Sequence, residues 1–274
     1  MSRAELVASL LADLSAESAD LDARVAPLPA SAWLTPTPAT GWDIRDTITH
    51  LHQTDVDALL ALSDPDEFGR FIEGVRAAES DTAALGHVEG SVAAGRSAAP
   101  LQLLENWRAD RARLAAALAD ATEGTRVPWF GPAMSVPSFI TARLMETWAH
   151  GQDIVDALGQ SRDATPRLRH VAEIGVRARP FAYAINGIEL PATAVHVALD
   201  GSGGEAWTWG PAGSADSVSG SALDFCLLVT QRRHRDDVKL TVIGSDAAQW
   251  MAIAQAYAGA AGSGRGRRDE TVGG

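Results

Sequence analysis

The stretch Arg143-Leu-Met-Glu-Thr-Trp-Ala-His-Gly-Gln-Asp-Ile-Val-Asp-Ala-Leu-Gly159 predicts a helix, and the rest of the fold can be worked out from it. Only Gly151 weakens this helix internally, and Gly159 is a common stop signal just past a last turn. Glu146 and His150 are four residues apart, so they lie on one face, one turn from each other. Carboxylate oxygen and imidazole nitrogen both suit zinc or another first-row metal, so this face could hold a divalent ion.

A solvated row of ion pairs is the second interpretation of the same face. Arg143 and Asp153 extend the face by one step on either side of Glu146 and His150, and such mixed charges are typical of an exposed helix surface. A different face of the helix is apolar, and it is formed by Ile140, Leu144, Trp148, Val155 and Leu158. The helix is therefore expected to pack through one stripe and to carry either metal ligands or ion pairs beside it.

Composition limits the classes of protein that the chain can belong to. Its 274 residues are 46% hydrophobic, which allows a sizeable core and two domains. The 23 basic and 35 acidic residues give a net charge of −12, which disfavours nucleic acid and anionic membranes as partners. The single cysteine, Cys226, excludes an internal disulfide and a cysteine-based zinc site, and its apolar neighbours predict a buried core residue. Without a signal-peptide pattern or a membrane-spanning apolar run, we expect a soluble, cytoplasmic protein.

Four long helices are expected in the first 160 residues. A capping box of Ser2 and Glu5 opens the first, which should end near Val25. The second opens at Gly41-Trp42-Asp43 and should reach about Leu62, the third begins at Pro100, and the stretch quoted above is the fourth. A short acidic helix is expected at 68–79, whereas the Gly-, Ala- and Ser-rich residues 86–99 are only weakly defined by the sequence. This pattern is typical of a helical bundle.

The second half of the chain changes to strand periodicity. Residues 166–179 predict a connecting helix, and two further helices are expected at 221–232 and 246–257. Apolar residues alternate with others in three predicted strands, at Val195, Val197 and Leu199, at Trp207 and Trp209, and at Val238, Leu240 and Val242. We therefore expect a small α+β domain over residues 161–258, followed by a flexible Gly- and Arg-rich tail at 259–274.

The motifs of this chain resemble those of a known superfamily. The second helix reads Gly41-Trp-Asp-Ile-Arg-Asp-Thr-Ile-Thr-His50-Leu-His52-Gln-Thr-Asp55-Val-Asp57, and its Trp, Arg-Asp and His-Leu resemble the DinB-like metal-binding superfamily. Residues 146–153, Glu-Thr-Trp-Ala-His-Gly-Gln-Asp, match the Glu-x-x-x-His-Gly-x-Asp signature of actinobacterial proteins related to mycothiol-dependent maleylpyruvate isomerase. Residues 220–232 resemble the C-terminal domain of that group, which is similar to sterol-carrier-type folds. The resemblance implies a DinB-like four-helix bundle at 1–160 and an α+β domain at 161–258.

The resemblance also implies a set of metal ligands, namely His50, Glu146 and His150. His52 is an alternative to His50, because a helical wheel drawn on the apolar positions places His52 nearer the core. Only the family spacing from Trp42 favours His50. The ligands come from two helices that are distant in sequence, so the site exists only if these helices pack side by side.

Such a ligand set predicts a particular chemistry. Two neutral imidazoles and one carboxylate leave a divalent ion with a net charge near +1 and at least one open position. Zinc is the first expectation, and nickel or iron would suit the same ligands. The ion could lower the pKa of a thiol or polarise a carbonyl group. The family resemblance implies a low-molecular-weight thiol, mycothiol by analogy, as the co-substrate.

Three further residues are candidates for catalytic roles. Asp57 lies seven residues after His50 and Asp153 about one turn past His150, and each could orient a ligand, act as a base or simply be exposed. Arg232 matches the position of an arginine that reaches the substrate carboxylates in the resembling isomerase. This chain has Gln231 before Arg232 where the family has glycine, so a solvated arginine at a helix end is an equal alternative.

Together these observations favour a metal-dependent enzyme of the thiol S-transferase or isomerase kind, acting on a small-molecule substrate. Two alternatives remain from the sequence: a non-catalytic metal-binding protein, and a tailoring enzyme of secondary metabolism that uses the metal as a Lewis acid. The sequence leaves the oligomeric state open, with a homodimer among the options.

Overall fold

The structure, a computed structural model, describes residues 1–77 and 83–268, and the chain divides into two units, Met1–Ser161 and Arg162–Gly274. The elements of the first unit are α1 (Arg3–Val25), α2 (Ile44–Ser63), α3 (Pro65–Ala77), α4 (Ala83–Gly95), α5 (Pro100–Asp120), β1 (Arg126–Val127), β2 (Met134–Ser135) and α6 (Val136–Ala157). Those of the second are α7 (Leu168–Arg177), α8 (Arg179–Ile185), β3 (Val195–Asp200), β4 (Ala206–Trp209), β5 (Asp216–Ser221), α9 (Ala222–Val229), β6 (Leu240–Ile243) and α10 (Ser245–Ile253).

Side-chain caps fix where the first two long helices begin. At α1 the Ser2 hydroxyl accepts a hydrogen bond from the Glu5 N–H, and the Glu5 carboxylate accepts one from the Ser2 N–H. At α2 the same reciprocal pattern joins Asp43 and Asp46. Each cap satisfies N–H groups that the first turn of a helix leaves without a partner. The cap at Asp43 therefore sets the register of α2.

The four long helices of the first unit form the predicted DinB-like bundle. Helix α1 packs against α6, and α2 packs against both α5 and α6. One apolar cluster is centred on Phe139 and Ile140 of α6, and another joins Ile48 and Leu51 of α2 to Trp107 of α5. Burial of these side chains supplies the main driving force for packing the helices. As a result, the second turn of α2 lies beside the middle of α6.

Residues 86–99, which the sequence defines only weakly, largely belong to α4, which covers Ala83–Gly95 and was not predicted. This helix has few large side chains, but it ends against α2, where Gly95 leaves room for the side chain of Thr49. The following Arg96 binds the buried Asp46 through Nε and Nη2 at 3.0 and 2.8 Å. These tertiary contacts, rather than local periodicity, hold α4. The expected acidic helix corresponds to α3, and the last part of its expected range lies outside the described residues.

The second unit is built on a four-stranded mixed sheet with the order β4-β3-β5-β6. Strands β3 and β4 form the predicted antiparallel hairpin, β3 pairs with β5 in parallel, and β5 pairs with β6 antiparallel. Strand β5 and helix α8 were missed from the sequence, whereas α7 and α9 lie within ranges predicted to be helical and α10 begins one residue before its predicted range. The α+β prediction for this half of the chain is therefore confirmed.

Three smaller expectations can be compared with the structure. Cys226 is fully buried in α9, and burial raises the pKa of its thiol, as expected for a core residue. Within residues 1–77 and 83–268, none of the helices has the length and apolar character needed to cross a membrane. Residues 259–268 form neither helix nor strand, and the rest of the predicted tail lies outside the described residues.

Candidate metal centre

Three side chains that can bind a metal meet between α2 and α6. Glu146 Oε2 lies 3.4 Å from His150 Nε2 and 3.9 Å from His50 Nε2, and one donor atom from each residue lies within 4.8 Å of the other two. The side chains of His50 and His150 are 12% and 14% exposed, and that of Glu146 is 29% exposed. The cluster is therefore largely enclosed by protein but reachable by a small molecule on the Glu146 side.

The spacing of these donors fits a divalent ion. With bonds of about 2.1 Å, tetrahedral ligand atoms lie about 3.4 Å apart. The Glu146–His150 separation equals this value, and the Glu146–His50 separation requires closure by a few tenths of an ångström. Two nitrogens and one oxygen are also the donor types that zinc, nickel and iron accept. The three residues could therefore hold such an ion with a position left for a further ligand.

Burial and mutual contact set the protonation states of the cluster. Burial lowers the pKa of His50 to about 4, with the positive charges of His150 and Arg143 acting in the same direction against the attraction of Glu146. Burial alone would raise the pKa of Glu146, but hydrogen bonds and charge from His150 and His50 outweigh it and hold that pKa well below its usual range. Near neutral pH the site therefore offers a neutral His50 imidazole and an ionised carboxylate, which are the forms that bind metals.

Asp153 supports His150 from the side opposite Glu146. Its Oδ2 atom lies 3.4 Å from His150 Nδ1, and its side chain is fully buried. A carboxylate that holds a proton on one ring nitrogen leaves the other nitrogen free to bind a metal, and it fixes the plane of the ring. This arrangement is suited to hold the Nε2 atom of His150 toward Glu146.

Trp42, at the entrance of α2, lies against both histidines of the cluster. Its ring is stacked on that of His150 with centroids 5.9 Å apart, and it is tilted against His50 at 5.2 Å. The register set by the Asp43 cap places this tryptophan two turns before His50. Contact with a large aromatic ring restricts both imidazoles and excludes water from one side of the cluster.

The face that carries Glu146 and His150 is not a solvated row of ion pairs, because Arg143 and Asp153 are both buried. Arg143 Nη2 binds Asp55 Oδ1 of α2 at 3.0 Å, and Trp107 Nε1 of α5 donates to Asp55 Oδ2 at 3.2 Å. Burial raises the pKa of Asp55, although Arg143 and Trp107 oppose that rise. This polar contact ties α2, α5 and α6 together about one turn from the cluster.

His52, the alternative ligand, lies on another side of α2. Its Nε2 atom is 2.9 Å from Asp110 Oδ2 of α5, and Asp110 also binds Arg113. The side chain of His52 is 19% exposed, compared with 12% for His50. His50, and not His52, faces α6, which a helical wheel of α2 alone does not show.

Asp57 is not part of the cluster of three donors. Its Oδ2 atom lies 3.1 Å from His87 Nε2 of α4, and its Oδ1 atom accepts a hydrogen bond from Gln53. The ring of His87 also contacts Phe71 and Phe130. The contact of His87 with Asp57 has no local signal in the sequence, because it joins α4 to α2 and α4 was not predicted.

Arg232 belongs to the second unit, just past the end of α9. Its Nη1 atom donates to the carbonyl oxygen of Thr230 at 2.7 Å. The preceding Gln231 has a positive φ of 57°, the conformation that glycine would adopt without strain. The chain therefore follows the backbone path that a glycine would favour, in spite of the different residue. A role for Arg232 toward a substrate stays a prediction.

A helical bundle with two histidines and a glutamate meeting between two of its helices, followed by a small mixed-sheet unit, defines a DinB-like protein with a candidate metal centre. Comparison with known proteins places the chain more closely. A family model described as the mycothiol maleylpyruvate isomerase N-terminal domain matches residues 14–155. This match covers more than half of the chain, so the chain belongs to that family. A second model, described as wyosine base formation, matches residues 193–242.

Full-length relatives and solved structures agree with this assignment. Uncharacterised proteins from two strains of Mycobacterium tuberculosis are each 49% identical over 255 residues, which cover 93% of this chain and 97% of theirs. A crystal structure of the mycothiol-dependent maleylpyruvate isomerase matches with a TM-score of 0.58 and 17% identity, over 88% of this chain and 96% of that one. The structure of a histidine-to-alanine mutant of that enzyme matches equally widely, with a TM-score of 0.56. At this level of identity, the structural matches show a shared fold.

Proposed function

We propose that the protein is a metal-dependent enzyme that activates a low-molecular-weight thiol, with mycothiol as the co-substrate. The observation that carries the proposal is the meeting of His50, Glu146 and His150 in a member of the mycothiol maleylpyruvate isomerase family. A bound divalent ion would supply Lewis-acid chemistry there, because it lowers the pKa of a thiol and polarises a carbonyl. The reaction class that fits is thiol S-transfer or isomerisation on a small electrophilic substrate.

Each residue of the centre has a role that follows from its contacts. His50 would bind the ion as a neutral imidazole, and Glu146 would bind it as an ionised carboxylate. Asp153 would hold His150 in the tautomer whose Nε2 atom is free to bind the ion. Trp42 would shield the imidazoles from water, whereas the more exposed Glu146 marks the side from which a thiol can approach. No cysteine is available to complete a closed structural site, since Cys226 is buried in the second unit.

A cobalt-substituted sample tests whether a thiol reaches the ion. If the site has an open position, adding mycothiol or a simple cysteinyl thiol should produce a thiolate-to-metal charge-transfer band. This band should grow with pH, with an apparent pKa below the value of about 8.5 of a free thiol. The His52→Ala variant should give the same band, and the His150→Ala variant should give none.

An unchanged spectrum, together with no turnover of thiol and electrophile pairs, would contradict the enzyme proposal and leave a metal-binding protein.

The acceptor side can be tested separately through Arg232. The Arg232→Ala variant should keep the thiolate band while it weakens the binding of a carboxylate-bearing acceptor, since a guanidinium binds carboxylates and not the ion. Loss of the band in this variant would mean that Arg232 acts on the thiol or the fold instead.

A further inference from the structure

The loop that joins α1 to α2, residues 26–43, carries Trp42 to the metal centre. Around Trp42 its hydrogen bonds are local. The Trp42 carbonyl oxygen accepts from the N–H and the hydroxyl of Thr37 at 2.8 and 3.1 Å, and the Trp42 N–H donates to the Ala39 carbonyl oxygen at 3.0 Å. Gly41 has a φ of 81°, which suits glycine and allows the turn into α2. These bonds shape the loop, but they do not attach it to the other helices of the bundle.

The side chain of Arg96, which follows α4, attaches this loop to another part of the bundle. Its Nη2 atom donates to the Gly41 carbonyl oxygen at 3.2 Å, directly before Trp42. Its Nη2 and Nε atoms also hold the two carboxylate oxygens of Asp46 at 2.8 and 3.0 Å, four residues after Trp42. Among the described residues, Arg96 is the only one beyond α1 and α2 that forms a hydrogen bond with the loop. The guanidinium therefore holds the chain on both sides of Trp42.

The end of α4 fixes the place of Arg96. Gly95 packs on Thr49 so closely that an added Cβ would overlap the Thr49 side chain. The end of α4 is therefore pressed against the turn of α2 that leads into His50. The Arg45 side chain of α2 donates from Nη1 to the Arg96 carbonyl oxygen at 2.7 Å, so the backbone of Arg96 is held as well as its side chain.

We propose that Arg96 is a positioning residue of the metal centre, which holds Trp42 against the two histidines of the cluster. The Trp42 ring contacts those of His150 and His50 with centroids 5.9 and 5.2 Å apart. A guanidinium suits this task, because its planar fork binds both carboxylate oxygens and has a further N–H for the carbonyl. Without Arg96, the tryptophan can leave the imidazoles, which lose a restraint and become open to water. This role rests on the metal binding proposed above.

The imidazole proton signals of the metal-free protein test the contact directly. The ring current of Trp42 should displace the NMR signals of His150 and His50, and Arg96→Met should move both signals toward their ordinary positions. Arg108→Met is the matched control, since Arg108 holds the buried Asp22 through the same two atoms and its side chain is 43% exposed, compared with 48% for Arg96. This control should leave both signals in place.

Arg96→Lys guards against misfolding of Arg96→Met. It keeps the charge beside Asp46, whose side chain is only 2% exposed, so the fold should be preserved. A single ammonium nitrogen lacks the fork that joins the carboxylate to the Gly41 carbonyl, so the imidazole signals should move in the same direction by a smaller amount.

Release of cobalt to a chelator tests the consequence for a bound ion. Trp42→Ala should release cobalt about tenfold faster than the unaltered protein, as expected for the loss of a group that supports metal ligands. Arg96→Met should also speed release. Because Arg96 acts through Trp42, the double variant should release cobalt no faster than Trp42→Ala alone.

Three outcomes would overturn this role for Arg96: unchanged imidazole signals in both folded Arg96 variants, an equal displacement in Arg108→Met, or additive effects of Arg96→Met and Trp42→Ala on cobalt release. Failure of the unaltered protein to bind cobalt would instead refute the proposed metal centre. The imidazole signals of the metal-free protein would still decide whether Arg96 holds Trp42 in place.

Discussion

Replacing His50 with Ala should remove most of the metal from the protein, whereas replacing His52 with Ala should not. The two residues are two positions apart on α2 and both contact a carboxylate, which makes them a matched pair. His50 faces Glu146 of α6 within the cluster of three donors. His52 instead binds Asp110 of α5, which does not belong to the cluster.

The expected difference between the two variants follows from the number of ligands. Structural zinc sites with four ligands bind with about 10–16 kcal/mol, or about 2.5–4 kcal/mol for each ligand. Loss of His50 should therefore weaken metal binding by a factor of about 100 to 1,000. Loss of His52 breaks a partly buried contact with Asp110, which should cost about 1 kcal/mol of folding stability and leave the metal affinity unchanged.

Metal content after dialysis and competition with a coloured chelator measure this difference directly. The unaltered protein should hold about one divalent ion per chain, and elemental analysis should identify it among zinc, nickel and iron. His150→Ala should behave like His50→Ala. If His50→Ala kept stoichiometric metal at unchanged affinity, or if His52→Ala lost it, the assignment of ligands would be refuted.

Three further predictions concern the packing of the helices. In urea unfolding, Gly95→Ala should destabilise the protein by about 1–3 kcal/mol, since the added Cβ would overlap the Thr49 side chain. Gly90→Ala on the same helix is the control: its Cβ would meet open space, so it should stabilise the protein by up to about 1 kcal/mol. Arg143→Met should lower the free energy of unfolding by about 3 kcal/mol, because it leaves the Asp55 carboxylate buried without its cation. Thermal unfolding of this variant at the temperature of the unaltered protein would argue against the ion pair. Arg108 and Arg111 of α5 lower the pKa of Asp22. The ionised Asp22 carboxylate therefore stabilises the fold fully above its ordinary pKa of 3.8, and this stabilisation is lost as the pH falls through the lower pKa of the folded state. Asp22→Asn should therefore be less stable than the unaltered protein at pH 6, and the difference should shrink below pH 3.8; a gap that did not change with pH would contradict the linkage.

Much of the helical framework was predictable because its signals are local. The capping box of Ser2 and Glu5, the Trp42-Asp43 entrance to α2 and the stop at Gly159 all act within a few residues along the chain. Gly159 adopts a φ of 61°, which suits glycine at the end of a helix. Hydrophobic periodicity then predicts which stripe of each long helix is buried.

The elements that were missed are stabilised by contacts that are distant in sequence. Helix α4 has a weak apolar pattern and is held through Gly95 and Arg96 against α2. Strand β5 contains Val218 as its only large apolar residue, yet it lies in the middle of the sheet because β3 and β6 pair with its backbone on both sides. Backbone pairing of this kind depends little on side-chain pattern, so a sequence window does not reveal it.

The sequence by itself determined the two-part organisation, the long helices and the pairing of Glu146 with His150, because one turn of a helix fixes that spacing. Only the tertiary structure places His50, and not His52, beside Glu146 and His150. Helix α2 packs against α5 on one side and α6 on another, so two histidines that are two residues apart turn to different neighbours. The same packing buried Arg143 and Asp153, which local charge pattern alone would have left in water. Which side chains are buried, and which residues they contact, depends on how the helices pack, whereas a helical wheel describes the geometry of one helix only.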